Sequence, residues 1–214
     1  MTMNRNERFI ITINREIGSG GRTVGRILAE RLNVKYYDKA LIQGLTEKFG
    51  LDIEEIERLK AQEKKEPSWW QEFNDYYKKL FNTADNKPKP TTAAMFETEQ
   101  KILESLAEKE SCVIAGRSTF LIFREWKNRV NVFLQASLEH RIERLMSKRG
   151  LRYEDALDII ESVDEGREAY IKKYSDRSRY DTRNYDLIIS MDMLKEEDAA
   201  DIIMEYIKRT DKQH

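Results

Sequence analysis

The chain has 214 residues, enough for one medium domain with a sizeable buried core and an inserted lobe. Charged residues make up 36% of it and hydrophobic ones 40%, so a soluble protein with a heavily charged surface is expected, yet the formal net charge is only -1. A global basic field for nucleic acid is therefore excluded, and any anion must be held by a local cluster of cations.

The first apolar run, residues 9–13, is short and rich in isoleucine, which predicts a buried strand. A glycine turn follows at residues 18–21, and Val24, Ile27, Leu28 and Leu32 then recur at helical spacing. Residues 34–37 predict a second strand, and Leu41, Ile42, Leu45 and Phe49 a further amphipathic helix. This alternation points to a parallel sheet with crossover helices. The middle of the chain differs. Asp52 with Glu55, and Ser68 with Gln71, read as capping boxes that open helices. Pro88 and Pro90 among polar residues predict a mobile loop over 82–92. The aromatic residues Trp69, Trp70, Phe73, Tyr76 and Tyr77 crowd this stretch at near-helical spacing, as a small lobe's core would.

A helix over about 93–109 leads into a third strand at 112–115, where Cys112 is the only cysteine and so excludes an internal disulfide or a multi-cysteine metal site. Strands at 130–134 and 187–190 follow, with helices at about 138–148, 154–174 and 196–208. No run approaches the roughly 20 apolar residues of a membrane span, and the polar start is unlike a signal peptide, so a cytoplasmic protein is expected. The predicted architecture is α/β with three layers: a five-stranded parallel sheet flanked by helices in a single domain over 1–214, with a helical lobe inserted at 51–104.

Sheets of this kind bind ligands beyond the carboxyl ends of their strands. The first such place holds Gly18, Ser19, Gly20, Gly21, Arg22 and Thr23 between a strand and a helix. Glycines let backbone N–H groups approach one anion, and the helix N-terminus adds partial positive charge. That combination reads as a loop for the phosphates of ATP. It departs from the Walker pattern G-x-x-x-x-G-K-[ST]. In one register Arg22 replaces the lysine and Thr23 is the Mg²⁺ hydroxyl. In the other, gapless register, Gly21 falls on the lysine and Arg22 on the Ser/Thr. A glycine turn that merely starts a helix is the plain alternative.

The segment ITINREIGSGGRTVGRILAERLNVKYYDKALI resembles the opening of cytidylate-kinase-like proteins. CVIAGR is similar to their third strand ending in Gly-Arg, and VFLQASLEHRIERL to their fourth strand and lid helix. DEGREAYIKKYSDRSRYDTRNYDLIIS resembles the Asp-x-x-Arg and Asn-Tyr-Asp-Leu stretch that follows. The likeness covers about residues 9–50 and 100–192. It implies a P-loop kinase fold, a lid over about 138–183, and transfer of the ATP γ-phosphoryl to a nucleoside monophosphate, cytidylate or a relative, with Mg²⁺.

The resemblance also assigns roles. Arg117 would hold the acceptor phosphate, with Asp38, Lys39 and Asp164 beside it on the acceptor side. Arg22, Arg141, Arg144 and Arg167 would stabilise the transferring group, for which guanidinium forks are suited. Arg177, Arg179 and Arg183 are weaker candidates of the same kind. Each has a plainer alternative: a surface ion pair for Arg117 and for Asp164 with Arg167, a helix cap for Asp38, and a solvated face for Arg141, Arg144 and Lys148. Ser118 and Gly44 stand where the pattern expects aspartate and arginine. These departures keep open a P-loop kinase for another small acceptor, or a non-catalytic nucleotide-binding module. The partners expected are nucleotide substrates, with neither membrane nor nucleic acid, and a homodimer is compatible with either reading.

Overall fold

A computed structural model describes residues 3–38, 100, 103–104, 106–116 and 118–211. Its strands are β1 (Ile10–Arg15), β2 (Lys35–Asp38), β3 (Cys112–Ala115), β4 (Arg129–Gln135) and β5 (Leu187–Ser190). They form one sheet in the order β2-β3-β1-β4-β5, and the β1–β3, β1–β4 and β4–β5 pairs are parallel. In register, Ile11 lies between Val113 and Val130, and Ile13 between Ala115 and Val132. Ile10, Ile11, Thr12 and Ile13 are all buried. A central parallel strand covered on both faces needs a continuous apolar run rather than alternation, and residues 10–13 come close to one.

Among the described residues the helices are α1 (Gly21–Arg31), the single turn α2 (Thr119–Ile122), α3 (Leu138–Arg149), α4 (Tyr153–Tyr174) and α5 (Glu196–Thr210). A 3-10 turn at Thr182–Asn184 leads into β5. α1 ends where Asn33 takes the left-handed conformation at φ 52, a role asparagine fills at low cost. The main core joins Val24 and Leu28 of α1 with Ala199, Ala200, Ile203 and Ile207 of α5 against Ile11, Ile13, Val132 and Leu134 of the sheet. A second cluster, Ile142 and Leu145 with Ala156 and Ile160, packs α3 on α4 and takes in Ile17 from the turn after β1. α3 opens at Ser137, whose hydroxyl accepts from the His140 N–H at 3.3 Å, and closes at left-handed Gly150. Leu151 joins the same cluster.

The expected five-stranded parallel sheet flanked by helices is present. β3 and β5 have the expected bounds, whereas β1 runs two residues further, which makes Asn14 and Arg15 part of the strand. The chain forms two compact units, Met1–Tyr36 with Glu110–His214, and Tyr37–Lys109. In the second, Leu103, Leu106 and Ala107 are buried, and Gln100 Nε2 donates to Glu104 Oε1 at 3.0 Å. The expected lobe at 51–104 lies outside the described residues apart from Gln100, Leu103 and Glu104. Lys39 and Arg117 lie outside them as well. No helix of the described residues is long and apolar enough to cross a membrane.

Candidate active site

β1 carries the chain to the carboxyl edge of the sheet, where it turns through residues 16–20 into α1. Gly18 and Gly20 have φ of +88 and +85, a region that costs other residues roughly 1–2 kcal/mol. Gly20 is the N-cap of α1, and its carbonyl accepts from Thr23 N at 2.9 Å and Val24 N at 3.2 Å. A Cβ on Gly18 would fall 2.8 Å from Arg141 Cβ, so the turn lies directly against α3. A Cβ on Gly20 would fall 3.2 Å from Glu196 Cγ and 3.6 Å from Arg144 Cζ. Arg144 and Glu196 form an ion pair there, linking α3 to the start of α5. The buried Ser19 hydroxyl donates to Glu16 O at 3.0 Å or Leu134 O at 3.2 Å, which pins the turn to β4. Thr23 is exposed on the first turn of α1, Gly21 is buried and Arg22 is half-buried.

Asp164 on α4 organises the rest. It is 8% exposed. Its Oδ1 accepts from Ile17 N at 3.3 Å, Arg167 Nη1 at 3.1 Å and Arg179 Nη1 at 3.2 Å, and its Oδ2 from Arg141 Nη1 at 2.5 Å. One carboxylate therefore ties the glycine turn to guanidinium groups from α3, α4 and the loop beyond α4. Arg167 also donates to the Arg15 carbonyl at 3.0 Å, as does Arg179 through Nη2. Arg179 is 4% exposed and lies over the rings of Phe133 and Tyr180, with its backbone N–H on Glu168 Oε2 at 3.0 Å. Glu16 Oε2 accepts from Ala136 N at 3.1 Å and sits 3.9 Å from Arg141 Nε. That buried Nε makes no hydrogen bond among the described residues.

Guanidinium groups outnumber carboxylates here among the described residues. Burial, followed by the charges of Arg15 and Arg179, outweighs Asp164 and with Arg22 pushes the Arg167 guanidinium down to about 9. Burial and then the Arg22 charge lower Arg149 as well. Like charges held together in a partly desolvated place are stabilised by an arriving anion, and such places mark functional sites. Two positive-φ glycines at the start of α1, with a cluster of guanidinium groups beside them, suit an oligophosphate. Among the described residues no group of three or more His, Cys, Asp or Glu side chains is placed to hold a metal ion.

The structure brings together Gly18, Ser19, Gly20, Gly21, Arg22, Thr23, Arg141, Asp164 and Arg167, with Arg144 next to Gly20. Asp38 ends β2 and is buried. Sequence reasoning gave no role to Arg15 and placed Arg179 among the weaker candidates, whereas in the structure Arg179 bonds Asp164 and the Arg15 carbonyl. A strand-end arginine carries no local pattern. Arg179 lies 15 residues from Asp164, beyond the reach of helical spacing.

Comparison with known proteins bears on the fold and the family. Over residues 10–193 the chain matches the model of the cytidylate kinase-like family. It is 23% identical over 205 residues to a cytidylate kinase of Sulfolobus acidocaldarius, covering 93% of this chain and 94% of that protein. A solved structure of an uncharacterised protein from Eubacterium ventriosum is similar at a TM-score of 0.69 and 24% identity, covering 94% of this chain and 99% of the other. Shikimate kinase from Bacteroides thetaiotaomicron is similar in fold at a TM-score of 0.51 and 16% identity, covering 94% and 98%. With a parallel five-stranded sheet, a glycine turn between β1 and α1, and a family match across most of its length, the chain has a P-loop kinase fold and belongs to the cytidylate kinase-like family.

Proposed function

We propose that this protein transfers the γ-phosphoryl of ATP to a nucleoside monophosphate, with cytidylate first among the acceptors. The observation that carries the reading is the convergence of Arg141, Arg167 and Arg179 on Asp164 at the edge of the glycine turn. Phosphoryl transfer asks a protein chiefly for positioning and for fixed positive charge around the moving group. The backbone N–H groups at the start of α1 would hold the donor phosphates. Arg141 and Arg167 would face the transferring group, and Asp164, with its oxygens engaged by three guanidinium groups and Ile17 N, would position them rather than touch the acceptor. Arg22, second in α1, adds charge at the rim. Mg²⁺ would neutralise phosphate charge, held largely by phosphate oxygens. Arg117 and Lys39 would bind the acceptor phosphate, and Asp38 would orient the start of that side.

The name of the Sulfolobus relative favours cytidylate. A coupled ADP-release assay with Mg²⁺ across nucleoside monophosphates and small hydroxyl acceptors tests this. Turnover with cytidylate or a related nucleotide is expected. Arg117→Ala should raise the acceptor KM by ~10–100-fold and leave the ATP KM nearly unchanged, as loss of a hydrogen bond to a charged group predicts. Turnover only with non-nucleotide acceptors, or ATP binding with no turnover on any acceptor, would contradict the proposal.

A further inference from the structure

Gly21 and Gly116 lack side chains where Arg15 passes. A Cβ on Gly21 would fall 2.9 Å from Arg15 Cβ, 2.8 Å from its Cγ and 3.3 Å from its Cδ. A Cβ on Gly116, which follows β3 at φ +84, would fall inside the Arg15 guanidinium group. The side chain therefore leaves the end of β1, crosses the first residue of α1 and ends at the carboxyl edge of β3. The Arg15 carbonyl meanwhile accepts from Arg167 and Arg179, which fixes the backbone from which this side chain starts.

Gly21 directly follows left-handed Gly20 and opens the helix. In the Walker pattern the residue directly after the last loop glycine is the lysine that reaches the β- and γ-phosphates. Here that helical position has no side chain, and the stem of Arg15 lies across it. We propose that Arg15 supplies, from the end of β1, the cation that the phosphate loop lacks at Gly21, with its guanidinium group on the transferring phosphoryl group. The inference rests on the phosphotransfer reading above, because it is the γ-phosphoryl that the guanidinium would meet. Two further observations bear on it. The guanidinium ends between the donor turn and β3, the strand that runs into Arg117 in the sequence. Arg15 is also the strongest neighbouring charge acting on Arg167, so it belongs to the same cluster of cations. Arg22 is one residue further along α1 than Gly21, turned about 100° around the helix axis.

The test compares the full-length wild type, Arg15→Ala, Arg15→Lys and the double variant Arg15→Ala/Gly21→Lys, with thermal melts to establish folding. Calorimetry gives MgATP affinity, and the acceptor assay gives kcat. Arg15→Ala should lower kcat by ~100-fold or more, the size found when one preorganised charge-stabilising donor is removed. Arg15→Lys should keep part of the activity. The double variant should recover at least about tenfold over Arg15→Ala, because a lysine on the helix then enters the space that the arginine stem has left. An arginine with a merely structural role gains nothing from a lysine placed at a different point of the chain. Wild-type kcat and affinity in Arg15→Ala, or a folded double variant no better than Arg15→Ala, would overturn the inference. If the wild type binds MgATP but transfers nothing, the phosphotransfer reading falls, and Arg15 is judged by affinity alone: tighter binding in the double variant than in Arg15→Ala supports it, and equal binding overturns it. A wild type that binds no MgATP overturns both.

Discussion

Asp164 is a single carboxylate between three guanidinium groups, and the folded state depends on it more than an exposed ion pair would suggest. Exposed pairs contribute about 0–1 kcal/mol. Here one partner is 8% exposed, and removing it leaves Arg141, Arg167 and Arg179 facing one another. Asp164→Asn keeps the shape but not the charge. It should lower the unfolding free energy by about 3 kcal/mol, as expected when one member of a buried ion pair is lost. Urea titration checks this through the midpoint at unchanged slope. A loss below about 0.5 kcal/mol would show the cluster to be solvated like an ordinary surface pair. Part of this arrangement was legible in the sequence. Asp164 and Arg167 are three residues apart on a predicted helix and read as a pair. Arg15 was not legible and Arg179 did not stand out from Arg177 and Arg183, because what brings them in is the strand order and the loop after α4, neither of which leaves a spacing pattern.

The glycine turn acts through its fit to α3. The ideal Cβ on Gly18 lies 2.8 Å from Arg141 Cβ and 2.9 Å from its carbonyl oxygen, and φ is +88. Gly18→Ala should therefore cost about 2–4 kcal/mol, the left-handed penalty and the overpacking together. Because Arg141 moves with α3, the substitution should also weaken phosphate binding, which calorimetry with inorganic tripolyphosphate would read. Ser137→Ala at the start of α3 removes only a cap and should cost about 1 kcal/mol without altering phosphate binding. The strand and helix positions were legible because apolar runs of four to six residues and 3.6-residue periodicity differ plainly. The single turn α2 was not, since four residues are too few to show a period. Ser118 begins it in the left-handed conformation at φ 53, a conformation that a serine does not signal.

At the scale of the whole molecule, the sheet order puts β1 between β3 and β4, so the turn after β1 meets residues from both neighbours. Glu16 reaches Ala136 beyond β4, and Arg15 reaches Gly116 beyond β3. The alternation of strands and helices foretold a parallel sheet, but not which strand lies beside β1, and that neighbourhood decides which cations surround the phosphate turn. Ligand linkage should show at this scale. MgATP at 100 times its Kd should raise Tm by about 5–10 °C, since mass action contributes about 2.7 kcal/mol and a chain of this size shifts about 2–4 °C per kcal/mol. The central claim is that the glycine turn between β1 and α1 holds the donor of a phosphoryl transfer. The most direct measurement is single-turnover transfer of γ-labelled phosphate from ATP to cytidylate, by the wild type and by Gly20→Val, with thermal melts to establish that the variant is folded. A valine at Gly20 would meet Glu196 and the Arg144 guanidinium and would be strained at φ +85. The account predicts labelled cytidine diphosphate from the wild type and at least about 100-fold slower transfer by Gly20→Val, as expected when charge-stabilising donors are displaced. Equal transfer rates in the two proteins, or no labelled nucleoside diphosphate from the wild type, would contradict it.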